Sequence, residues 1–304
     1  LETSPVTIDA QDLGRIITVS NAVNLTIEGL TLLQGRISGD GGGIALASGS
    51  SLSLSNVSMI SCDAVGGEVY AGGILCADDT VQITAVNCLF KENTSGNFAG
   101  FAYKGTWIVD QCEFRGNSSV QGGVLQEGDW TISNSKFLSN SAGYRSIATY
   151  GVIRVTNSIF AYNYASQHGM FHLGDITMAN CVFVNNTTAT SPHPIIGMSV
   201  YWSSSNSIFW GNSSPTNILF SNDSPYVATV EYSDISPAYF IGGTGNISFE
   251  PRFVSTDEAN ANFLKLAGGS PCIDSGTSEG APSTDHDGNT RPFGYGFDMG
   301  AYEF

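Results

Sequence analysis

Charge is what this 304-residue chain has least of. Asp, Glu, Lys and Arg together make up 12% of it, about half the share usual in soluble domains. Only 11 residues are basic against 27 acidic, a formal net charge of −16. Recognition of phosphate needs clustered cations, so nucleic acid is not an expected partner. The strong helix formers that normally cover helix surfaces are scarce as well. Ser, Thr, Asn, Val, Ile, Phe and 36 Gly stand in their place, a composition of strands and turns. No run approaches the ~18 apolar residues of a membrane-spanning helix, so no membrane insertion is expected. The six cysteines contain no C-x-x-C pair, which argues against a zinc site. They read either as buried, stacked thiols or as disulfides of an exported protein, with Cys88–Cys112 and Cys62–Cys76 the candidate pairs. Leu1 opens directly into strand-like sequence with no signal peptide, as in a mature product or a fragment.

What the chain does have is a repeat. FKEN (90–93), FRGN (114–117), FLSN (137–140), FAYN (160–163), FVNN (183–186) and FWGN (209–212) place an aromatic residue and an asparagine three apart, six times. Extended to Leu32, Met59 and Ile235, the intervals are 27, 31, 24, 23, 23, 23, 26 and 26 residues. A near-fixed period of this kind means one supersecondary unit stacked many times. A leucine-rich repeat also carries a periodic Asn, but Leu is no commoner here than Phe, at 17 each. The better fit is an all-β, single-stranded right-handed parallel β-helix of about nine coils, roughly 40 Å long at the strand spacing. Three strands are expected per coil, for example GGVLQE (122–127), WTIS (130–133) and SKFLS (135–139). The coils occupy residues 1–235, and residues 236–304 form an irregular C-terminal cap of the same domain.

Stacking turns each repeated position into a column. Phe90, Phe114, Phe137, Phe160, Phe183 and Phe209 should fill the interior. Asn93, Asn117, Asn140, Asn163, Asn186 and Asn212 should sit at the turn that follows, where Asn tolerates left-handed backbone and its amide can bond to the coils above and below. A second Asn column (Asn87, Asn134, Asn157, Asn180, Asn206) precedes the strand. F-x-x-N is therefore a folding device rather than an active-site motif.

Two resemblances follow from these motifs. The F-x-x-N units, with GGGI (41–44), AGGI (71–74) and GGVL (122–125), resemble the repeats of polymorphic outer-membrane proteins, a family of surface adhesins. The stretches GNISFEPRFV, GGSPCIDSGT and DHDGNTRPFGYGFDMGAYEF resemble the GSPxIDxG…DxDGNxRP…DxGAYE end of secreted bacterial β-helix proteins of the pectate-lyase-like superfold. That likeness implies secretion or surface display. It also admits polysaccharide lyases and hydrolases, because one superfold hosts many functions. The first coil carries no capping helix before it, which makes end-to-end self-association an expectation too.

Three groups of residues could carry chemistry. Asp285, Asp287 and Asn289, with Asp298, read as either a calcium loop or a hydrogen-bonded turn; calcium is the only cofactor implied. Tyr103, Gln126, Thr149 and His172 form one column at the 23-residue period, and Lys104, Glu127, Tyr150 and Leu173 the next. Strand alternation should turn the two columns to opposite faces. With Arg145, such a face could bind an extracellular polysaccharide. As a lyase it would use His172 or Tyr150 as base and Arg145 and Lys104 to neutralise charge; as a hydrolase it would pair Glu127 with Asp129 or Asp110. Nine N-x-S/T sequons form the third group, at Asn24, Asn56, Asn93, Asn117, Asn185, Asn186, Asn212, Asn222 and Asn246. His168, His193 and His286 show no ligand spacing. The expected role is an adhesin or structural, filament-forming surface module, and the alternative is a carbohydrate-active enzyme.

Overall fold

The structure, a computed structural model, describes residues 6–145, 147–190, 196–198, 201–216, 218–220, 227–239 and 242–304. Strands of successive coils pair in parallel, residue on equivalent residue: Phe90 faces Phe114, which faces Phe137. The result is a right-handed β-solenoid of about nine coils. A complete coil crosses four sheets, not the three read from the sequence. In one coil the strands are Thr106–Asp110, Glu113–Arg115, Ser118–Ser119 and Leu125–Gln126. We call the sheets they belong to the Trp, Phe, corner and groove sheets. The strand missed from the sequence is the corner one, because two residues are too few to show alternation.

The period-two burial of the longer strands defines the interior. In Thr106–Asp110, Trp107 and Val109 point in while Ile108 points out and is 54% exposed. Phe114, Phe137, Phe160, Phe183 and Phe209 stack face to face, with centroids 4.4, 4.9, 4.6 and 4.9 Å apart. Trp107 stacks on Trp130 at 4.6 Å. Burying each ring contributes roughly 1.5–3 kcal/mol, with about 0.5–1.5 more for each aromatic pair.

The asparagines of F-x-x-N form a closed ladder. Asn163 Nδ2 donates to Phe137 O (2.9 Å) and to Asn186 Oδ1 (2.9 Å), while its Oδ1 accepts the backbone N–H and Nδ2 of Asn140 (both 3.0 Å). The same bonds recur at Asn117, Asn140 and Asn186. The expected left-handed backbone lies one residue earlier, at Glu92, Gly116, Ser139, Tyr162, Asn185 and Gly211. It is the second column that is left-handed: Asn87, Asn134, Asn157, Asn180 and Asn206 have φ of 47–55°. A third ladder precedes each Phe. Cys112 N–H bonds to Ser135 Oγ, Ser135 N–H to Ser158 Oγ and Cys181 N–H to Ser207 Oγ, each at 3.1 Å. Both disulfide candidates are corrected: all six cysteines are buried free thiols.

Beyond Ile235 the chain first covers the end of the Phe sheet, where Ile247 bridges Asp234 in parallel. It then doubles back along the side of the solenoid. Outward-facing Leu138, Ile159, Ala161, Val182, Val184 and Ile208 form a second core with Phe263, Leu264, Leu266, Met299, Ala301 and Tyr302 of the tail. In these coils the Phe sheet is apolar on both faces, the pattern of a sheet buried on both sides. The second Asn column fastens the tail. Asn157 Nδ2 donates to Thr284 O (2.7 Å), Asn180 Nδ2 to Asp298 O (3.0 Å) and Asn206 Nδ2 to Thr277 O (2.7 Å). Among the described residues, no helix is long and apolar enough to cross a membrane.

Candidate functional site

The tail motif is a knot of carboxylates and backbone N–H groups. Asp285 Oδ1 accepts from Asp287 N (2.9 Å) and Asn289 N (2.8 Å), and its Oδ2 from Asn289 Nδ2 (3.1 Å) and Glu303 N (3.0 Å). Asp298 accepts from Asp274 N and Phe304 N, both at 2.7 Å. Burial pushes Asp298 up to about 6 against those bonds. Asp287 pairs instead with Lys265 Nζ at 2.5 Å. Arg291 and Glu303, buried side by side, close the knot. A cation at Asp285 would have to displace donors that already fill both oxygens. Among the described residues, no cluster of three or more His, Cys, Asp or Glu side chains is placed to hold a metal ion.

The other set of candidates gathers on the outside of the groove sheet. Tyr103, Gln126, Thr149 and His172 are in register on successive strands, opposite the inward row of Ala102, Leu125, Ala148 and Phe171. Lys104, Glu127, Tyr150 and Leu173 follow, but they do not point the other way. Each has left-handed backbone, φ 56–60°, so alternation ends there. Lys104 Nζ lies 5.2 Å from the Tyr103 ring centroid and 3.7 Å from Glu127 Oε2, and Tyr103 Oη reaches Glu127 Oε1 at 3.3 Å. Burial, then the neighbouring Glu127 charge, pushes the Tyr103 phenol up.

Segments between the corner and groove sheets fold over this face. Gln126, Thr149 and His172 are consequently buried, not solvent-facing. Gly122 lets the chain pass close over Gln126: a Cβ there would stand 2.7 Å from the backbone nitrogen of Ala99. Tyr70 stacks on Phe98 (5.1 Å) and contacts Tyr103 (4.3 Å). Tyr144 stacks on His168 (5.9 Å), which lies 4.7 Å from His172. The Arg145 guanidinium sits 5.8 Å from the Tyr150 ring centroid, and desolvation lowers its pKa. Tyr144 and Tyr150 remain 40% exposed. Tyr70, Phe98 and Tyr144 were not read from the sequence, because they lie on irregular segments that meet the face only through folding.

Of the hydrolase candidates, Glu127 is engaged by Lys104 Nζ (3.7 Å) and Tyr103 Oη (3.3 Å), and Asp129 lies two residues further on, at the start of the strand Asp129–Ser133 of the Trp sheet. Asp110 is also bonded to Ser133 Oγ and Asn134 Nδ2, both at 2.7 Å. Of the sequons, Asn93, Asn117, Asn186 and Asn212 are buried in the ladder and cannot carry a glycan. Asn222 and His193 lie outside the described residues.

A second concavity, an open cleft of about 710 Å³, lies where the tail ends its run along the solenoid. Asn87, Cys88, Gln111, Cys112, Lys136 and His286 are among its walls. No family model, no curated protein and no solved structure matches the chain.

Proposed function

We propose that this chain is a non-catalytic surface module, an adhesin or structural component of the cell exterior. On this reading it presents the Tyr70–Tyr150 face to an extracellular polysaccharide. The supporting observation is that the groups a lyase would need are tied to one another. Lys104 is paired with Glu127, Glu127 with Tyr103, and Arg145 lies over Tyr150. Such pairs leave aromatic faces and polar edges at the surface, which match the faces and edges of sugar rings, but no free base beside a free cation. The test is titration of the full chain against a panel of acidic and neutral polysaccharides, with reducing ends and unsaturated uronates measured in the same samples. Binding without product, weakened at least about tenfold by Y150A (roughly 1.4 kcal/mol), is the expected result. Release of product, or binding indifferent to Y150A and K104A, overturns the reading.

A further inference from the structure

Cys88 and Cys112 occupy the same place on adjacent coils. Leu89 is in register with Glu113, so the residues before them face each other, about 4.8 Å apart at the strand spacing and within the 4.4–6.8 Å that disulfides span between Cα atoms. Cys88 N–H points at Cys112 Sγ, 3.4 Å away. Both line the 710 Å³ cleft. Ser fills this ladder position at 135, 158, 207 and 233, where Oγ also donates to the carbonyl two residues back at 2.6–2.9 Å. The position therefore needs only a hydroxyl, and sulfur makes longer bonds there, 3.2 and 3.3 Å to the equivalent carbonyls. Cys181, in the same ladder, is flanked by Ser158 and Ser207 and lies where Asn180 fastens the tail. It has the same backbone setting, no thiol neighbour and no place in the cleft wall.

We propose that Cys88 and Cys112 form a redox-active dithiol, a modification site that exchanges with low-molecular-weight disulfides entering the cleft. Cys112 Sγ is engaged by the Cys88 N–H and by the Asp110 and Ala85 carbonyls, Cys88 Sγ by the Val86 carbonyl, and contact between the two thiols pulls Cys88 down and pushes Cys112 up. The more lightly held Cys88 is the attacking sulfur and Cys112 the resolving one. In the first step the Cys88 thiolate attacks one sulfur of R–S–S–R, forming a mixed disulfide and expelling RS⁻. In the second, Cys112 loses its proton to solvent and attacks Cys88 Sγ, expelling the second RS⁻. Two protein thiols are oxidised, one small disulfide is reduced to two thiols, and a bond now joins neighbouring coils. This does not rest on the polysaccharide reading.

The experiment treats the reduced full chain with oxidised glutathione, quenches with N-ethylmaleimide and maps the peptides by mass. A Cys88–Cys112 disulfide is expected, with two glutathione thiols released per chain and Cys88 reacting at least about tenfold faster than Cys181. C112S keeps the ladder bond, as Ser135 does on the next coil, and should stop at a glutathione adduct on Cys88. Reaction of Cys88 no faster than Cys181, a stable adduct on the unsubstituted chain, or no adduct in C112S would overturn the assignment.

Discussion

Replacing Asn163 with alanine tests the ladder at its most connected point. The side chain makes four hydrogen bonds, two donated and two accepted, all within 3.0 Å and all buried. Alanine leaves three groups short of a partner: Asn140 N–H, one hydrogen of the Asn140 amide, and Phe137 O. A buried polar group stripped of its partner costs about 1–3 kcal/mol, so the sum over three groups is roughly 3–9 kcal/mol. That is a large share of the ~5–15 kcal/mol by which domains are stable. Asn93 is the comparison, because it begins the ladder. Its Oδ1 accepts only Cys62 N–H (3.1 Å), with no amide from a preceding Asn, and N93A should cost less. Urea unfolding followed by tryptophan fluorescence reads both, since Trp107, Trp130 and Trp202 report from the interior. Solenoids can unfold a few repeats at a time, so the m-value must be compared with the midpoint. A loss below about 1 kcal/mol for N163A, at unchanged m, would refute the view that the ladder is a main stabiliser.

Two further outcomes follow from the tail. Burial pushes Asp234 up to about 6, against bonds from Cys272 and Phe249 N–H, and Asp298 is raised to about 6 as well. Raised carboxyl pKa values mean that the folded chain binds more protons between about pH 4 and 6, so stability falls as pH rises through that window. D234N keeps an acceptor for Phe249 N–H and should remove about half of that slope; thermal unfolding from pH 4 to 7 checks it, and an unchanged slope refutes it. V184D puts a charge into the second core, where Val184 is 2% exposed. Limited trypsinolysis should then cut after Arg252 and Lys265 while the coils stay intact. Simultaneous loss of coils and tail would show that the two cores do not separate.

The solenoid was legible because stacking makes each coil repeat its neighbour's residue types. Phe and Asn recur since each must fit against a copy of itself. What stacking does not repeat could not be read. The left-handed residue before each ladder Asn is Glu92, Gly116, Ser139, Tyr162, Asn185 or Gly211, a column without a shared residue type. The corner strands are too short for periodicity to register. The groove-sheet face was half read: the columns were right in register, but the left-handed turn at Lys104, Glu127 and Tyr150 breaks the alternation used to orient them.

The course of the tail, by contrast, was written in the sequence and passed over. The residues flanking each Phe on its strand face outward. They read Leu89/Lys91, Glu113/Arg115 and Lys136/Leu138, then Ile159/Ala161, Val182/Val184 and Ile208/Trp210. Outward apolar pairs on three successive coils are incompatible with a solvated face, and the tail lies over those coils. Where the flanks turn charged the tail thins to a few contacts: Glu258 reaches Arg115 and Ser139, and the loop of His286 and Asp287 overhangs Lys136. There the cleft opens, and Cys88 and Cys112 line it. The change from apolar to charged flanks thus ends the second core and opens a cleft beside one pair of ladder thiols, while Cys181 stays under the tail. One feature of the sequence, the outward parity of the Phe strands, positions both the cap and the proposed redox site.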